Sequence, residues 1–350
     1  MQNTMVERLL SVDCKVTGIG SVPHKDVDYI CELILNKFPD IPYYPQFSKI
    51  DARENMFLQC SENLPCLKPD LKKEHIYYDD SVNKEEKLLE FYDHLTRKSY
   101  EYFKITSDYA KGFYALLEKS KNEQNQFIKG QVIGPITFSS SILGENGRAL
   151  IHDDVMSDVI VKGLAMKGIW QAKEIKKTGK MPVIFYDEPY LASFGSAYLP
   201  LEEKKVITIL NDLIDFINER EDILIGLHCC GNTDWEMLLQ TRIDIISFDS
   251  YGFSEYFVLY PNAIKKFLAR NGVIVWGAVP TAEYRDGISL DELCQKLNKA
   301  LNILTRKGID KELLLKNSLF SPSCGMGLLN EKTGEKIMHL TAALAERMKR

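Results

Sequence analysis

No apolar run in this sequence approaches the roughly 20 residues a membrane-spanning helix requires. The stretch from Met1 to Lys15 lacks the apolar centre of a signal peptide. These absences make the cytoplasm the expected location, where the eight cysteines are reduced rather than paired. No basic stripe is present: 44 lysines and arginines against 49 acids leave a formal charge of −5, which argues against a nucleic-acid binder. Arginine is scarce early in the chain, with Arg53 the one example between Arg8 and Arg97. No break in composition marks a second domain, and no short-period repeat appears, so residues 1–350 read as one domain. What is present is ordinary globular chemistry, 45% apolar and 27% charged residues, enough for a large core.

Short apolar runs alternate with helical patterns along most of the chain. Strands are expected over Lys15 to Ser21, Ile41 to Phe47, Gln126 to Thr137, Pro182 to Tyr186, Ile223 to Cys230, Ile243 to Asp249, Val273 to Ala278 and Asn317 to Phe320. Helices are expected after a cap at Asp26, over Lys84 to Phe103, Asp108 to Leu117, Asp153 to Lys177, Leu201 to Arg220, near Trp235, and over Glu255 to Arg270, Leu290 to Arg306 and Glu331 to Lys349. The strands are continuously apolar rather than alternating, which is the pattern of a parallel sheet covered by helices. About eight such units in this length fit a (β/α)8 TIM barrel with an insertion between strands 2 and 3. A doubly wound open sheet is the alternative.

In a βα barrel the strand C-termini open onto one face, where sites are built. The polar residues at the expected strand ends are Ser21 and His24, Asp187 and Glu188, His228 and Cys230, Asp249, and Cys324. Within Gly226-Leu227-His228-Cys229-Cys230-Gly231 the alternation of a strand points His228 and Cys230 one way and Cys229 the other. An imidazole beside a thiolate suits Zn²⁺, which accepts nitrogen and sulfur together. Cys324, in the Gly/Pro-rich loop after the last strand, can complete a set of three ligands that leaves a position open, the pattern of catalytic zinc. A lone His-x-Cys is more often ordinary packing, so the added cysteine is what carries the metal reading. The turn Gly18-Ile19-Gly20-Ser21 reads as a tight turn whose amides can also hold a carboxylate or phosphate. Cys14, Cys31, Cys60, Cys66 and Cys294 read as inert, and His75, His94, His152 and His339 as solvated.

Five motifs in order, Ile19-Gly20-Ser21-Val22-Pro23, Gly134-Pro135-Ile136-Thr137, Asp187-Glu188-Pro189, His228-x-Cys230 and Pro322-Ser323-Cys324-Gly325, resemble a known family over nearly the whole chain. The sequence resembles the catalytic C-terminal barrel of cobalamin-independent methionine synthase, in the superfamily of uroporphyrinogen decarboxylase and the corrinoid:thiol methyltransferases. The resemblance implies zinc held by His228, Cys230 and Cys324, with Asp249 as a weaker fourth ligand. It implies that Asp187 or Glu188 binds the amino group of homocysteine and that Gly20 and Ser21 receive its carboxylate. It also implies methyl transfer to a small thiol. Two departures bear on the donor. The chain has room for one barrel where the plant and bacterial enzymes have two, and Trp276-Gly277-Ala278-Val279-Pro280-Thr281 carries no histidine where the family has His-Ser-Pro.

The expectation is therefore a zinc-dependent methyltransferase that moves a methyl group to homocysteine from a methyl-corrinoid (cobalamin), free or carried by a corrinoid protein. Three alternatives stand beside it: the same transfer from methyl-folate, a uroporphyrinogen decarboxylase-like lyase, and a non-catalytic corrinoid- or thiol-binding protein. The shortage of early arginines weighs against the lyase, which needs cations for a many-carboxylate tetrapyrrole. No nucleic-acid or membrane partner is expected.

Overall fold

The computed structural model describes residues 2–11 and 16–349, so Cys14 and the start of the first expected strand lie outside the described residues. In chain order the elements begin with α1 (Gln2–Ser11), α2 (Val27–Lys37), α3 (Met56–Gln59), the hairpin β1 (Leu67–Asp70) and β2 (His75–Tyr78), α4 (Lys84–Thr96) and α5 (Lys111–Ser120). There follow β3 (Phe127–Ile133), α6 (Pro135–Ser141), α7 (Asp154–Lys177), β4 (Met181–Asp187), α8 (Glu203–Asn218), β5 (Leu224–Cys229), α9 (Trp235–Gln240) and β6 (Ile245–Phe248). The chain closes with α10 (Ser250–Phe257), α11 (Pro261–Ala269), β7 (Val273–Val279), α12 (Leu290–Arg306), α13 (Lys311–Lys316), β8 (Ser318–Pro322) and α14 (Glu331–Arg347).

β3 to β8 form one six-stranded, all-parallel sheet in sequence order, curled and flanked by helices. The first two expected strands are not regular strands. They are extended segments joined by isolated parallel bridges, Val16 to Phe320 of β8, Ser21 to Gln46, and Tyr43 to Lys129 of β3. Few ladder bonds hold them: Thr17 N donates to Phe320 O at 3.0 Å, Gln46 N to Gly20 O at 3.1 Å, and Lys129 N to Pro42 O at 2.8 Å. Pro42, Pro45 and the glycines at 18 and 20 interrupt regular pairing there. Residues 48–126, between these segments and β3, hold the hairpin and α3 to α5, where the insertion was expected.

Side-chain alternation divides the core in two. Phe127, Val183, Phe185, Leu224, Ile245, Val273, Val275 and Leu319 pack together on the concave face, joined by Met5, Val6, Leu9 and Leu10 of α1. Their neighbours Ile128, Ile184, Ile225, Ile246, Ile274 and Phe320 belong to the larger cluster under the helices. Each such buried side chain contributes about 1.5–3 kcal/mol, and both faces are dry, which is why the strands read as unbroken apolar runs.

Several boundaries differ from the sequence reading for local reasons. The helix expected over Glu255 to Arg270 is two helices, broken where Pro261 cannot donate an amide hydrogen and disfavours helix at Tyr260. The helix expected to Phe103 stops at Thr96, and a 3-10 turn over Tyr100–Phe103 follows Lys98 at φ 53. Asp26 caps its helix as expected, accepting the amide of Tyr29 at 3.0 Å, and Asp153 caps α7, accepting those of Val155 and Met156 at 3.0 Å. Among the described residues no helix is long and apolar enough to cross a membrane.

Candidate metal and thiol site

Continuing the inward alternation toward the strand C-termini brings Lys129, Gln131, Asp187, His228 and Ser247 onto the concave face, and polar chemistry replaces the apolar layer. β5 ends with His228 inward and Cys229 outward. The Cys229 thiol is fully buried, donates to Gly231 O at 3.6 Å, and is pushed up to about 12 by burial. Cys324 arrives from the loop after β8. The β7–β8 pairing shifts register between Gly277 and Val279, and a Cβ at Gly277 would lie 2.5 Å from Phe248 O and 2.8 Å from Ser323 Cα. Only glycine allows that approach, and it lets the β8 loop turn over the sheet.

The result is one cluster. The ligand atoms of His228, Cys230 and Cys324 lie within 4.8 Å of one another, the one group of three or more such residues with metal-holding spacing among the described residues. Ser247 Oγ sits 2.9 Å from His228 Nδ1. With the proton assigned to Nδ1 as donor to Ser247, Nε2 carries a lone pair, and that buried atom has no hydrogen-bond partner. The Cys324 thiol donating to Cys230 holds Cys230 well below the usual thiol range, aided by the adjacent imidazole, while Cys324 is pushed up. Two sulfurs and an imidazole nitrogen within reach of one point form a donor set that fits Zn²⁺.

A cavity of about 370 Å³ opens on this cluster. Asp187, Ser21, Gln46, Glu54, Met56 and Leu328 are among the residues that line it with His228, Cys230 and Cys324. Asp187 is buried with Oδ1 unpartnered, and burial raises its carboxyl, opposed first by the charge of Lys129. Glu54 accepts the amides of Phe47 at 2.9 Å and Lys111 at 3.0 Å, and burial raises it to about 7. Ser21 accepts the amide of Gly327 on Oγ at 3.2 Å and that of Met326 on its carbonyl at 2.8 Å. A Cβ at Gly325 would lie 2.2 Å from Ser21 Oγ, so the two loops meet only because that residue is glycine.

Other candidate residues lie elsewhere. Glu188 points outward from the sheet, fully buried, and its carboxylate accepts Ile136 N at 2.8 Å, Thr137 N at 2.7 Å and Thr137 Oγ1 at 2.6 Å. It caps α6 from the end of the neighbouring strand, which ties the Gly134-Pro135-Ile136-Thr137 and Asp187-Glu188-Pro189 motifs into one connection; burial raises it to about 7. His24 is buried with Nε2 3.5 Å from Glu335 Oε1 of α14 and does not line the cavity. Gly20 lies against the amides of Gln46 and Gln131 rather than in the cavity wall. Asp249 stands outside the three-residue group and caps α10, accepting Gly252 N at 2.8 Å.

The sequence reading overlooked Gln46, Glu54, Asn55 and Met56, which the insertion and the segment before it bring to the cavity. No local motif marks them, because their placement depends on how the insertion folds back. It also overlooked Lys129, whose signal was legible: a charge in the middle of an otherwise buried strand. The cysteines at 31, 60, 66 and 294 are buried, and burial raises their thiols, to about 12 for Cys31 and about 11 for Cys60. His75, His152 and His339 are exposed, whereas His94 is half-buried and stacks on Tyr102 at 3.8 Å.

No family model matches this sequence, and no curated protein matches it. Solved structures do match. A B12-independent methionine synthase from Shewanella sp. W3-18-1, in complex with selenomethionine, aligns with 66% of this chain at 20% identity and a TM-score of 0.44. The chain spans 65% of that synthase's length. A pneumococcal exo-β-D-N-acetylglucosaminidase GH20 module aligns with 99% of this chain and 88% of its own at 11% identity and a TM-score of 0.47. A GH113 β-mannanase from Alicyclobacillus acidocaldarius aligns with 67% of this chain and 91% of its own at 10% identity and a TM-score of 0.28. All three neighbours are enzymes.

Proposed function

We propose that this protein is a zinc-dependent methyltransferase that methylates a small thiol, with homocysteine as acceptor and a methyl-corrinoid, free or protein-borne, as donor. The observation that carries the reading is the convergence of His228, Cys230 and Cys324 within 4.8 Å at the floor of a cavity, with the imidazole Nε2 unpartnered. In this reading residues 1–350 form one cytoplasmic (β/α)8 domain, the two bridged segments at 16–22 and 41–47 standing as its first two strands.

Three chain ligands leave a fourth position for an acceptor sulfur. Bound zinc supplies the Lewis acidity that strips a thiol of its proton at neutral pH. The chain's own residues do the rest. Ser247 fixes the His228 ring so that Nε2 faces the thiols. Asp187, with a free buried oxygen in the cavity wall, receives the ammonium group of the acceptor. Ser21 and the 325–327 loop form the wall that receives its carboxylate. A methyl-corrinoid, were it the donor, would supply the methyl group by giving up its carbon–cobalt bond with both electrons kept on cobalt, the acceptor thiol's proton going to water. A corrinoid gives up its methyl group without a protein acid, which agrees with the absence of a histidine in 276–281.

Zinc content and turnover test this reading together. Wild type is expected to hold about one zinc per chain, and His228→Ala, Cys230→Ser and Cys324→Ser each to lose it. Homocysteine is expected to be methylated from methylcobalamin and not from methyl-folate alone. A zinc-free wild type, or zinc retained in all three variants, ends the proposal.

A further inference from the structure

Two lysines among the described residues are almost wholly buried, Lys129 at 1% exposure and Lys167 at 0%. Each gives its ammonium to a backbone carbonyl, Lys167 to Glu62 O at 2.7 Å and Lys129 to Ile19 O at 2.5 Å. Burial lowers each to about 8. Their places differ. Lys167 lies on α7 and ties down the insertion, away from the cavity. Lys129 lies on the concave side of β3, its ammonium 3.3 Å from Gln131 Oε1 and 4.9 Å from the centre of the Phe185 ring. Asp187, in the cavity wall, is the charge that acts on it most.

Ile19, whose carbonyl Lys129 holds, lines the cavity together with Ser21. Gly20 O and Ser21 O accept the amides of Gln46 and Met326, and Ser21 Oγ that of Gly327, so the Ile19 carbonyl is the point of this stretch that Lys129 holds. The stretch lacks a strand ladder and is joined to its neighbours by isolated bridges at Val16 and Ser21, one on each side of Ile19. An ammonium pulling on the Ile19 carbonyl sets the orientation of the Ile19–Gly20 peptide, and with it the position of Ser21. Gln131 braces the same turn, since a Cβ at Gly20 would lie 2.8 Å from its Nε2. No lysine or arginine is among the cavity-lining residues, and the charge of Lys129 opposes the burial that raises the Asp187 carboxyl.

We propose that Lys129 is a positioning residue for the acceptor: by holding the Ile19 carbonyl it fixes the Ile19–Ser21 wall of the cavity. This rests on the thiol-acceptor reading of the same cavity. The metal ligands sit on β5 and in the β8 loop, so metal retention does not depend on Lys129, whereas acceptor affinity does.

The test uses cobalt-substituted protein, in which a thiolate entering the metal site is read from its charge-transfer absorption without any methyl donor. Homocysteine is titrated into wild type, Lys129→Met and Lys167→Met, with cobalt affinity and thermal stability measured for each. Both variants are expected to lose stability and keep cobalt. Lys129→Met is expected to bind homocysteine roughly tenfold or more weakly, and Lys167→Met within about twofold of wild type. Equal binding by Lys129→Met and wild type overturns the proposal, and so do equal losses in both variants, which would mark a merely structural effect. Should Lys129→Met fail to fold, Lys129→Gln carries the same expectation and the same refutation. A wild-type spectrum that homocysteine leaves unmoved overturns the acceptor reading itself, and this inference with it.

Discussion

The two ends of the concave face are built on the same strands and differ in almost everything else. Near the strand starts, Phe127, Val183, Leu224, Ile245, Val273 and Leu319 close into an apolar plug, sealed by Met5, Val6, Leu9 and Leu10 of α1. A few residues on, the same inward positions carry Lys129, Gln131, Asp187, His228 and Ser247, of which Asp187 and His228 each keep one unpartnered buried atom. One end lowers the free energy of the fold, and the other spends some of that gain on keeping polar groups dry and poised. The strands thus separate stability from chemistry along their length, and substitutions should sort by depth.

The largest contrast sets Phe127→Ala against Cys324→Ser. Truncating Phe127, which is fully buried in the plug, is expected to cost about 3–5 kcal/mol in denaturant unfolding while leaving zinc per folded chain unchanged. Cys324→Ser is expected to do the reverse, abolishing zinc binding and turnover with a small change in stability. Chemical denaturation and metal analysis on both proteins check this. A plug variant that sheds zinc while still folded would break the division.

Next in size is Ser247→Ala, which touches no metal and removes the group 2.9 Å from His228 Nδ1. Zinc affinity is expected to fall roughly 10–100-fold, because the ring loses the partner that fixes its tautomer and angle. Competition with a chelator measures it, and unchanged affinity would mean that packing alone orients the ring.

A smaller effect sharpens the comparison through pH. Burial raises the Glu54 carboxyl from 4.5 to about 7, so the folded state holds that proton more tightly than the unfolded chain. The resulting stability is complete at a pH under 4.5 and is lost as pH rises through about 7. Glu54→Gln does not titrate and also loses an acceptor for Phe47 N or Lys111 N. Its deficit against wild type is therefore expected to be larger at about pH 5 than at about pH 7.5 in urea unfolding. A deficit that is flat or grows with pH would show that Glu54 is ionised when folded.

How much of this was legible in the sequence follows the same depth. The six regular strands were visible because both faces of each are buried, which writes an unbroken apolar run. The convergence of His228, Cys230 and Cys324 was visible because β-alternation separates His228 and Cys230 from Cys229, and because strand ends share one mouth. The segments at 16–22 and 41–47 read as strands by composition, but proline and glycine leave them as bridges. Glu188 was misjudged as a cavity candidate because adjacent residues on a strand face opposite ways, and only the pairing with β5 reveals which of the two acids points in. α1 carried a readable pattern, with Met5, Val6, Leu9 and Leu10 on one face, yet its target at the base of the sheet appears only in three dimensions.

Asp249 poses the finest version of the comparison, because it lies at a strand end where a ligand and a helix cap look alike in sequence. Its carboxylate accepts Gly252 N at 2.8 Å and stands outside the three-residue group, while burial raises it with the capping bond opposing. Geometry therefore assigns it to the start of α10, against the expectation of a weaker fourth ligand at that place. Asp249→Ala separates the two. As a cap it costs about 0.5–2 kcal/mol of stability with zinc retained, and as a ligand it costs zinc. Oxygen is the least favoured donor beside two sulfurs and a nitrogen, so unchanged metal content with a modest drop in thermal stability is the expected result.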